Sequence, residues 1–252
     1  MVDIVNQIII KDLYKEFDEV SVTRGVSLEV PKGKLTVLLG RSGEGKSVLL
    51  KQIIGLIRPT SGSIIIDGVD ITTLNEQELQ SHLASMGYVF QFAALLDSLN
   101  VFENIGITLL ETGVSEATVL KIVKEKLKLV QLSDAVLYRY PAEISGGQRK
   151  RVGVARTLVT NPKIIFYDEP TTGLDPITAS TIRALIGSMQ QQSPDRTTLV
   201  VSHDLELLQY ADYVALLYQG KIQYFGPANT AYESQNPYMY QFLRGLQDGP
   251  IQ

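Results

Sequence analysis

The chain has 252 residues, 44% of them hydrophobic and 20% charged, which is enough apolar material for one large domain or two small ones and excludes a disordered polymer. Its 27 acidic residues outnumber 23 basic ones, a formal net charge of −4, so bulk attraction to nucleic acid or anionic lipid is excluded as the main activity. Cysteine is absent, which excludes disulfides and thiolate metal sites and is compatible with a reducing cytosol.

Met1 to Lys11 carries an apolar run at Ile8 to Ile10 but no basic n-region and no long h-region, and predicts no signal peptide. No apolar run reaches the roughly 18 residues needed to span a bilayer, so any work at a membrane goes through a partner. Leu35 to Leu39 is apolar without alternation, the pattern of a strand covered on both faces of a parallel sheet. Leu49, Leu50, Ile53, Ile54 and Ile57 then repeat at helical spacing. Asp67-Gly68 reads as a hairpin turn. From Phe92 to Arg151 no buried strand is legible; Val119, Val123, Leu127 and Val130 instead predict an amphipathic helix, with Lys121, Lys124, Glu125, Lys126 and Lys128 on its solvated face. Val152, Ala155, Leu158 and Val159 continue at helical spacing. Ile164 to Tyr167, Leu199 to Val201 and Val214 to Tyr218 read as further buried strands, and Gln219-Gly220 as a second hairpin turn. Strands alternating with helices predict an α/β core with antiparallel β-structure at its edge and a helical insertion. Asn229 to Gln252, rich in Tyr, Gln and Pro, has three open fates: packing on its own domain, reaching a second copy, or partial disorder.

Gly40-Arg41-Ser42-Gly43-Glu44-Gly45-Lys46-Ser47 matches the phosphate-loop pattern G-x-x-x-x-G-K-[ST], with a strand before it and a helix after it. Its glycines let successive amides turn inward toward phosphate oxygens, and the helix start adds about half a positive charge. Lys46 supplies a full charge for the β- and γ-phosphates, and the Ser47 hydroxyl suits Mg²⁺. Glu44 is expected to point outward, since a carboxylate facing the γ-phosphate would repel it. Downstream, Asp168-Glu169 closes the run Ile164 to Tyr167, at the strand end where ligands bind in open α/β sheets. Asp168 fits the role of holding Mg²⁺ and Glu169 that of polarising an attacking water.

Taken in order, these motifs resemble the ATP-binding cassette ATPases over nearly the whole chain. Ile144-Ser145-Gly146-Gly147-Gln148 resembles the LSGGQ signature with Ile for Leu, Gln91 the Q-loop glutamine, Leu174-Asp175 the D-loop and His203 the switch histidine. Phe17 falls where such cassettes stack an aromatic on adenine; Tyr14 competes for that place, and a packing role for Phe17 stays open. The resemblance implies an α/β P-loop NTPase fold, an ABC-type cassette with a RecA-like core (1–91 and 156–228), an antiparallel β edge and a helical subdomain (92–155), followed by a tail (229–252). It also implies that ATP and Mg²⁺ are the cofactors and that two copies sandwich two ATP molecules head to tail. Phe17, residues 40–47, Val48 and Ser145 to Gln148 would then bind nucleotide, the last four in trans. Ser47, Gln91 and Asp168 would address the metal, and Lys46, Gln91, Glu169 and His203 would serve hydrolysis.

Five stretches are similar to the ATPases of the Mla/Mce lipid-transport systems: Ser47 to Lys51 with Val48 where most cassettes have Thr, Val89 to Asn104, Arg149 to Arg156, Asp168 to Thr178, and the tail around Asn236-Pro237 and Gln241 to Gly245. Gln148 departs from the group, many of whose members have Met there. This resemblance implies phospholipid transport at the cytoplasmic face of the inner or plasma membrane, through a permease of the MlaE type and with an Mce-type substrate-binding protein beyond it. An importer of polar solutes and a cassette that signals through a membrane protein are the alternatives; no nucleic-acid partner is implied. The apolar stretch Phe92 to Ile105 falls where cassettes meet a permease helix, the competing expectation being that it folds into its own subdomain.

Overall fold

In the computed structural model, residues 5–252 are described; Met1 to Ile4, the start of the stretch read above as carrying no signal peptide, lie outside the described residues. Strands β1 (Asn6–Phe17) and β2 (Val20–Pro31) form a long antiparallel pair. Neither was legible as a strand above, although Val26, Leu28 and Val30 alternate and all three are buried. In β1 the buried series Ile8, Ile10 breaks phase at a bulge around Asp12, whose φ is 44°, and resumes at Leu13. A bulge of this kind hides the period of two.

Leu35–Leu39 (β3) is fully buried and precedes α1 (Lys46–Ile53). The helix stops short of Ile57, which the apolar spacing had included: Ile54 caps it and Gly55 turns left-handed at φ 69°. Strands β4 (Ser61–Ile66) and β5 (Val69–Asp70) meet at Asp67-Gly68, both at positive φ as a tight hairpin turn requires. They complete a four-stranded antiparallel sheet in the order β2-β1-β4-β5. Helix α2 (Glu76–Leu83) leads to β6 (Met86–Val89).

Three helices follow: α3 (Val101–Glu111), α4 (Glu116–Leu129) and α5 (Gly146–Leu158). Val119, Val123, Leu127 and Val130 are all fully buried, as their spacing requires. Lys126 corrects the reading of the solvated face. It is buried, and its ammonium donates to Asn161 Oδ1 at 2.5 Å; burial, then the nearby Arg196, pushes its pKa down. The remaining elements are β7 (Ile164–Asp168), α6 (Pro176–Gln192), β8 (Thr197–Ser202), β9 (Tyr213–Tyr218), β10 (Lys221–Pro227) and α7 (Pro237–Arg244).

The second sheet runs β10-β9-β3-β8-β7-β6, parallel except for the edge strand β10. Each central strand feeds two cores. Leu35, Val37 and Leu39 face α6 and the three-helix group, whereas Leu38, Phe166, Leu199 and Val201 face α1 and the antiparallel sheet. The phosphate loop, Gln91, Asp168-Glu169 and His203 therefore all emerge from the same C-terminal edge of one sheet.

Of the three fates open to the tail, it packs on its own chain. Asn236 caps α7 by accepting from the amides of Tyr238 and Met239, and Gly245, left-handed at φ 60°, ends it. The Gln241 carboxamide then binds both sides of one residue, accepting from Ile251 N (2.7 Å) and donating to Ile251 O (2.9 Å). Arg41 of the phosphate loop donates to the Gln252 carbonyl. The Gln241 amide also donates to the Leu246 carbonyl at 3.2 Å, so Gln241→Ala is expected to remove three hydrogen bonds of about 1 kcal/mol each. Amide exchange at Ile251 should then accelerate at least tenfold while melting of the whole protein moves by only a few degrees.

Candidate active site

Gly45 precedes α1 at φ 92° and offers no side chain to cap it. A Cβ there would lie 2.7 Å from Val22 Cγ1 of β2. The residue must be glycine both for its φ and for this approach, and the uncapped helix start faces a cleft of about 420 Å³. Ser42, Gly43, Lys46, Ser47, Val48, Gln91, Glu169 and His203 line that cleft, together with Val22 and Thr172. Free first-turn amides and a buried lysine make it an anion site.

Lys46 is buried, and its ammonium donates to the carbonyls of Gly40 (2.8 Å) and Arg41 (2.9 Å). It also pairs with Glu169 Oε1 at 3.2 Å. Glu169 Oε2 accepts from Thr172 Oγ1 (3.0 Å) and lies 2.8 Å from His203 Nδ1. The Glu169 backbone is left-handed at φ 46°, a strained conformation for a non-glycine residue that concentrates at functional sites. Next to it, Asp168 Oδ1 accepts from Ser47 Oγ (2.8 Å) and Oδ2 accepts from Tyr88 Oη (2.9 Å). Burial, with Asp168 adding to it, pushes the Tyr88 phenol pKa well up, so the phenol stays protonated and donates.

The donor set fits Mg²⁺ with a nucleotide: the Asp168 carboxylate and the Ser47 hydroxyl converge and would hold the ion together with phosphate oxygens and water. Among the described residues no cluster of three or more His, Asp or Glu could hold a metal without such a ligand.

The residues expected at the nucleotide divide into four groups. Ser42, Gly43, Gly45 to Val48, Gln91, Glu169 and His203 line the cleft, and Gly40 and Asp168 contact residues that do. Arg41 and Glu44 turn their side chains away, Arg41 to the tail and Glu44 to the amide of Gln219. Phe17 is 41% exposed at the end of β1 with the Lys15 ammonium over its ring, so it is not a core residue; Tyr14 lies over Gly25. Ser145 to Gln148 do not line this cleft at all. Ser145 caps α5: its Oγ accepts from Gln148 N, while Gln148 Oε1 accepts from Ser145 N. A Cβ on Gly147 would lie 2.4 Å from Thr178 Cγ2, whereas one on Gly146 would meet only Arg149 at 3.9 Å.

Val22, Thr172, Tyr88 and Lys150 were not singled out from the sequence. Lys150, on α5, donates to the carbonyls of Pro170 (2.9 Å) and Thr172 (2.7 Å) and so ties the helix after the signature stretch to the loop after Glu169. A signal existed for Thr172, between Glu169 and the Leu174-Asp175 stretch, and for Lys150, inside the stretch Arg149 to Arg156.

A phosphate loop and an acidic strand end facing each other across a parallel sheet define a P-loop nucleoside triphosphatase. Residues 23–172 match the family model described as ABC transporter. The chain is 42% identical over 244 residues to the probable ribonucleotide transport ATP-binding protein mkl of Mycobacterium leprae, covering 96% of this chain and 70% of that one. It is 38% identical over 249 residues to the intermembrane phospholipid transport system ATP-binding protein MlaF of Haemophilus influenzae, covering 98% and 93%. The dimeric post-hydrolysis structure of the ATP-binding cassette MJ0796 with ADP and Pi superposes with a TM-score of 0.80 at 29% identity, covering 88% of this chain and 98% of that one. The chain belongs to the ABC transporter ATP-binding family: it is an ATP-hydrolysing cassette, of a kind that dimerises and works with membrane permease partners. No helix among the described residues is long and apolar enough to cross a membrane.

Proposed function

We propose that this cassette drives phospholipid movement through a permease of the MlaE type in an Mla/Mce-type system, as a peripheral subunit on the cytoplasmic face of the membrane. The observation that carries this reading is the end-to-end match to the phospholipid-transport relative, 98% of one chain and 93% of the other. Two exposed apolar side chains beside Gln91, Phe92 at 82% and Leu96 at 46%, support a docked partner helix there. Val101, Phe102 and Ile105 of that stretch are instead buried in the cassette's own helices. Purifying the assembled membrane complex and identifying its extractable ligand by mass spectrometry tests the reading. A glycerophospholipid is expected. A polar solute on a soluble receptor, with no lipid, would overturn it and favour the second reading, an importer of polar solutes, which rests on the ribonucleotide-transport name of the other relative.

Within the cassette, residues 1–91 and 156–228 act as the RecA-like core, 92–155 as the helical subdomain and 229–252 as the tail. Lys46 and the α1 amides hold the triphosphate, while Ser47, Asp168 and Gln91 address Mg²⁺. When bound, Mg²⁺ balances phosphate charge during transfer. Glu169 takes the proton of the attacking water, with His203 and Thr172 holding its other oxygen, and Phe17 stacks on the base. Ser145, Gly146 and Gly147 bind the γ-phosphate held by a second copy, with Gln148 fixing Ser145. Lys46→Ala removes a charge-assisted contact of about 1.5–3 kcal/mol, so calorimetry should show ATP affinity reduced roughly 10- to 100-fold. Unchanged affinity would contradict the role.

A further inference from the structure

Asp168 is buried, and both of its carboxylate oxygens are engaged by side chains from different elements. Ser47 of α1 takes Oδ1. Tyr88 takes Oδ2 from β6, the strand that runs parallel to β7 with Tyr88 opposite Phe166. Residues 88, 166 and 168 therefore share one face of the sheet. The phenol is itself held in place. Phe90 packs edge-on against its ring at 4.4 Å, and Thr157 Oγ1 donates to the Tyr88 carbonyl at 3.1 Å. One residue earlier, a Cβ on Gly87 would lie 2.4 Å from Thr157 Cγ2, so β6 and α5 leave no slack between them.

We propose that Tyr88 is a positioning residue for the divalent-ion site: its hydroxyl fixes the plane of the Asp168 carboxylate so that Oδ1 stays beside Ser47, and this sets how strongly the loaded site prefers metal-bound to metal-free nucleotide. The proposal rests on the assignment of Ser47 and Asp168 to Mg²⁺ made above. Two effects oppose each other. A donor on Oδ2 draws charge from the carboxylate and weakens it as a ligand, whereas the same donor removes its torsional freedom and strengthens the site. Partners that orient a metal ligand are usually worth roughly 10- to 100-fold in metal affinity, so orientation is the larger effect. In a pocket that also holds Glu169, a freely turning Asp168 would in addition leave Oδ2 without a donor in a buried position.

The test is calorimetry of a non-hydrolysable ATP analogue, with Mg²⁺ and with EDTA, on wild type, Tyr88→Phe, Ser47→Ala and Asp168→Asn. Phe keeps the ring against Phe90 and removes only the hydroxyl. The expected result is that Tyr88→Phe binds the analogue in EDTA within twofold of wild type and loses about tenfold of the Mg²⁺-dependent gain. A lost phenol that merely loosened the fold would weaken binding equally in both conditions. A Tyr88→Phe ratio within twofold of wild type, while Ser47→Ala and Asp168→Asn both lose the gain, overturns the role of Tyr88 alone. If Ser47→Ala and Asp168→Asn also keep the gain, the metal assignment itself fails, and the role of Tyr88 with it. Displacement of Mn²⁺ monitored by its spin-resonance signal reads the same ratio without turnover.

Discussion

Glu169→Gln is expected to reduce ATP turnover at least 100-fold, on the scale of a lost general base, while ATP still draws two copies together. The substitution keeps the shape of a side chain with three partners and removes the basic oxygen. Lys46 is not orphaned by it, because the carbonyls of Gly40 and Arg41 still accept from its ammonium. Removing the carboxylate from beside Lys46 at 3.2 Å also takes a negative charge out of a cleft that must admit a polyanion. ATP affinity should therefore hold or rise. Phosphate release measures the first expectation, and light scattering with and without ATP, in the presence of the permease, measures the second. A variant that hydrolyses at the wild-type rate, or one that stays monomeric at saturating ATP, would count against the role given to Glu169.

The sequence made the chemical edge of the molecule legible and much of the surrounding architecture illegible, for physical reasons. Leu35 to Leu39 and Ile164 to Tyr167 are buried on both faces, so they are almost wholly apolar and stand out; the phosphate loop and the acidic pair lie directly at their ends. Of the antiparallel sheet only the hairpin turn Asp67-Gly68 was legible; the turn at Asp18-Glu19, between β1 and β2, was not. Strands β1 and β2 are half solvated and bulged, and their polar residues dilute the alternation. Lys126 was placed in solvent because a lysine inside a helical charge run reads as surface; only the distant Asn161 makes its burial possible. Tyr88 could not be found because its partner lies 80 residues away and a tyrosine in an apolar strand reads as packing. Val22 lines the cleft only because β2 leans on Gly45, a contact between a strand and the phosphate loop that no local spacing encodes. The tail stayed open among three fates because its anchors are long-range: Gln241 pairs with the backbone of a residue ten positions on, and Arg41 and Tyr218 hold Gln252.

Gly146→Asp should separate a site built across two copies from one built within a single chain. The substitution is benign to the isolated fold. Its side chain enters open space, with Arg149 the nearest neighbour, and it places an acid in the first turn of α5, which has none. An acid there is worth about 0.3–1 kcal/mol of helix stability, and replacing a helical glycine adds to it. The melting temperature should hold or rise. Nucleotide affinity of the single chain should also be unchanged, because Ser145 to Gln148 do not line the cleft that holds Lys46. A γ-phosphate presented by a second copy would instead meet a like charge, a repulsion of about 4 kcal/mol at 4 Å in a surface-like dielectric. Loss of ATP-induced association and roughly a thousandfold fall in turnover are expected. Mixing this variant with Lys46→Ala completes the argument. In a mixed dimer the intact phosphate loop of one copy faces the intact signature of the other, so the mixture should regain hydrolysis that neither variant shows alone. A mixture no more active than its components, or a Gly146→Asp chain that loses ATP affinity as a monomer, would place Ser145 to Gln148 outside any shared site.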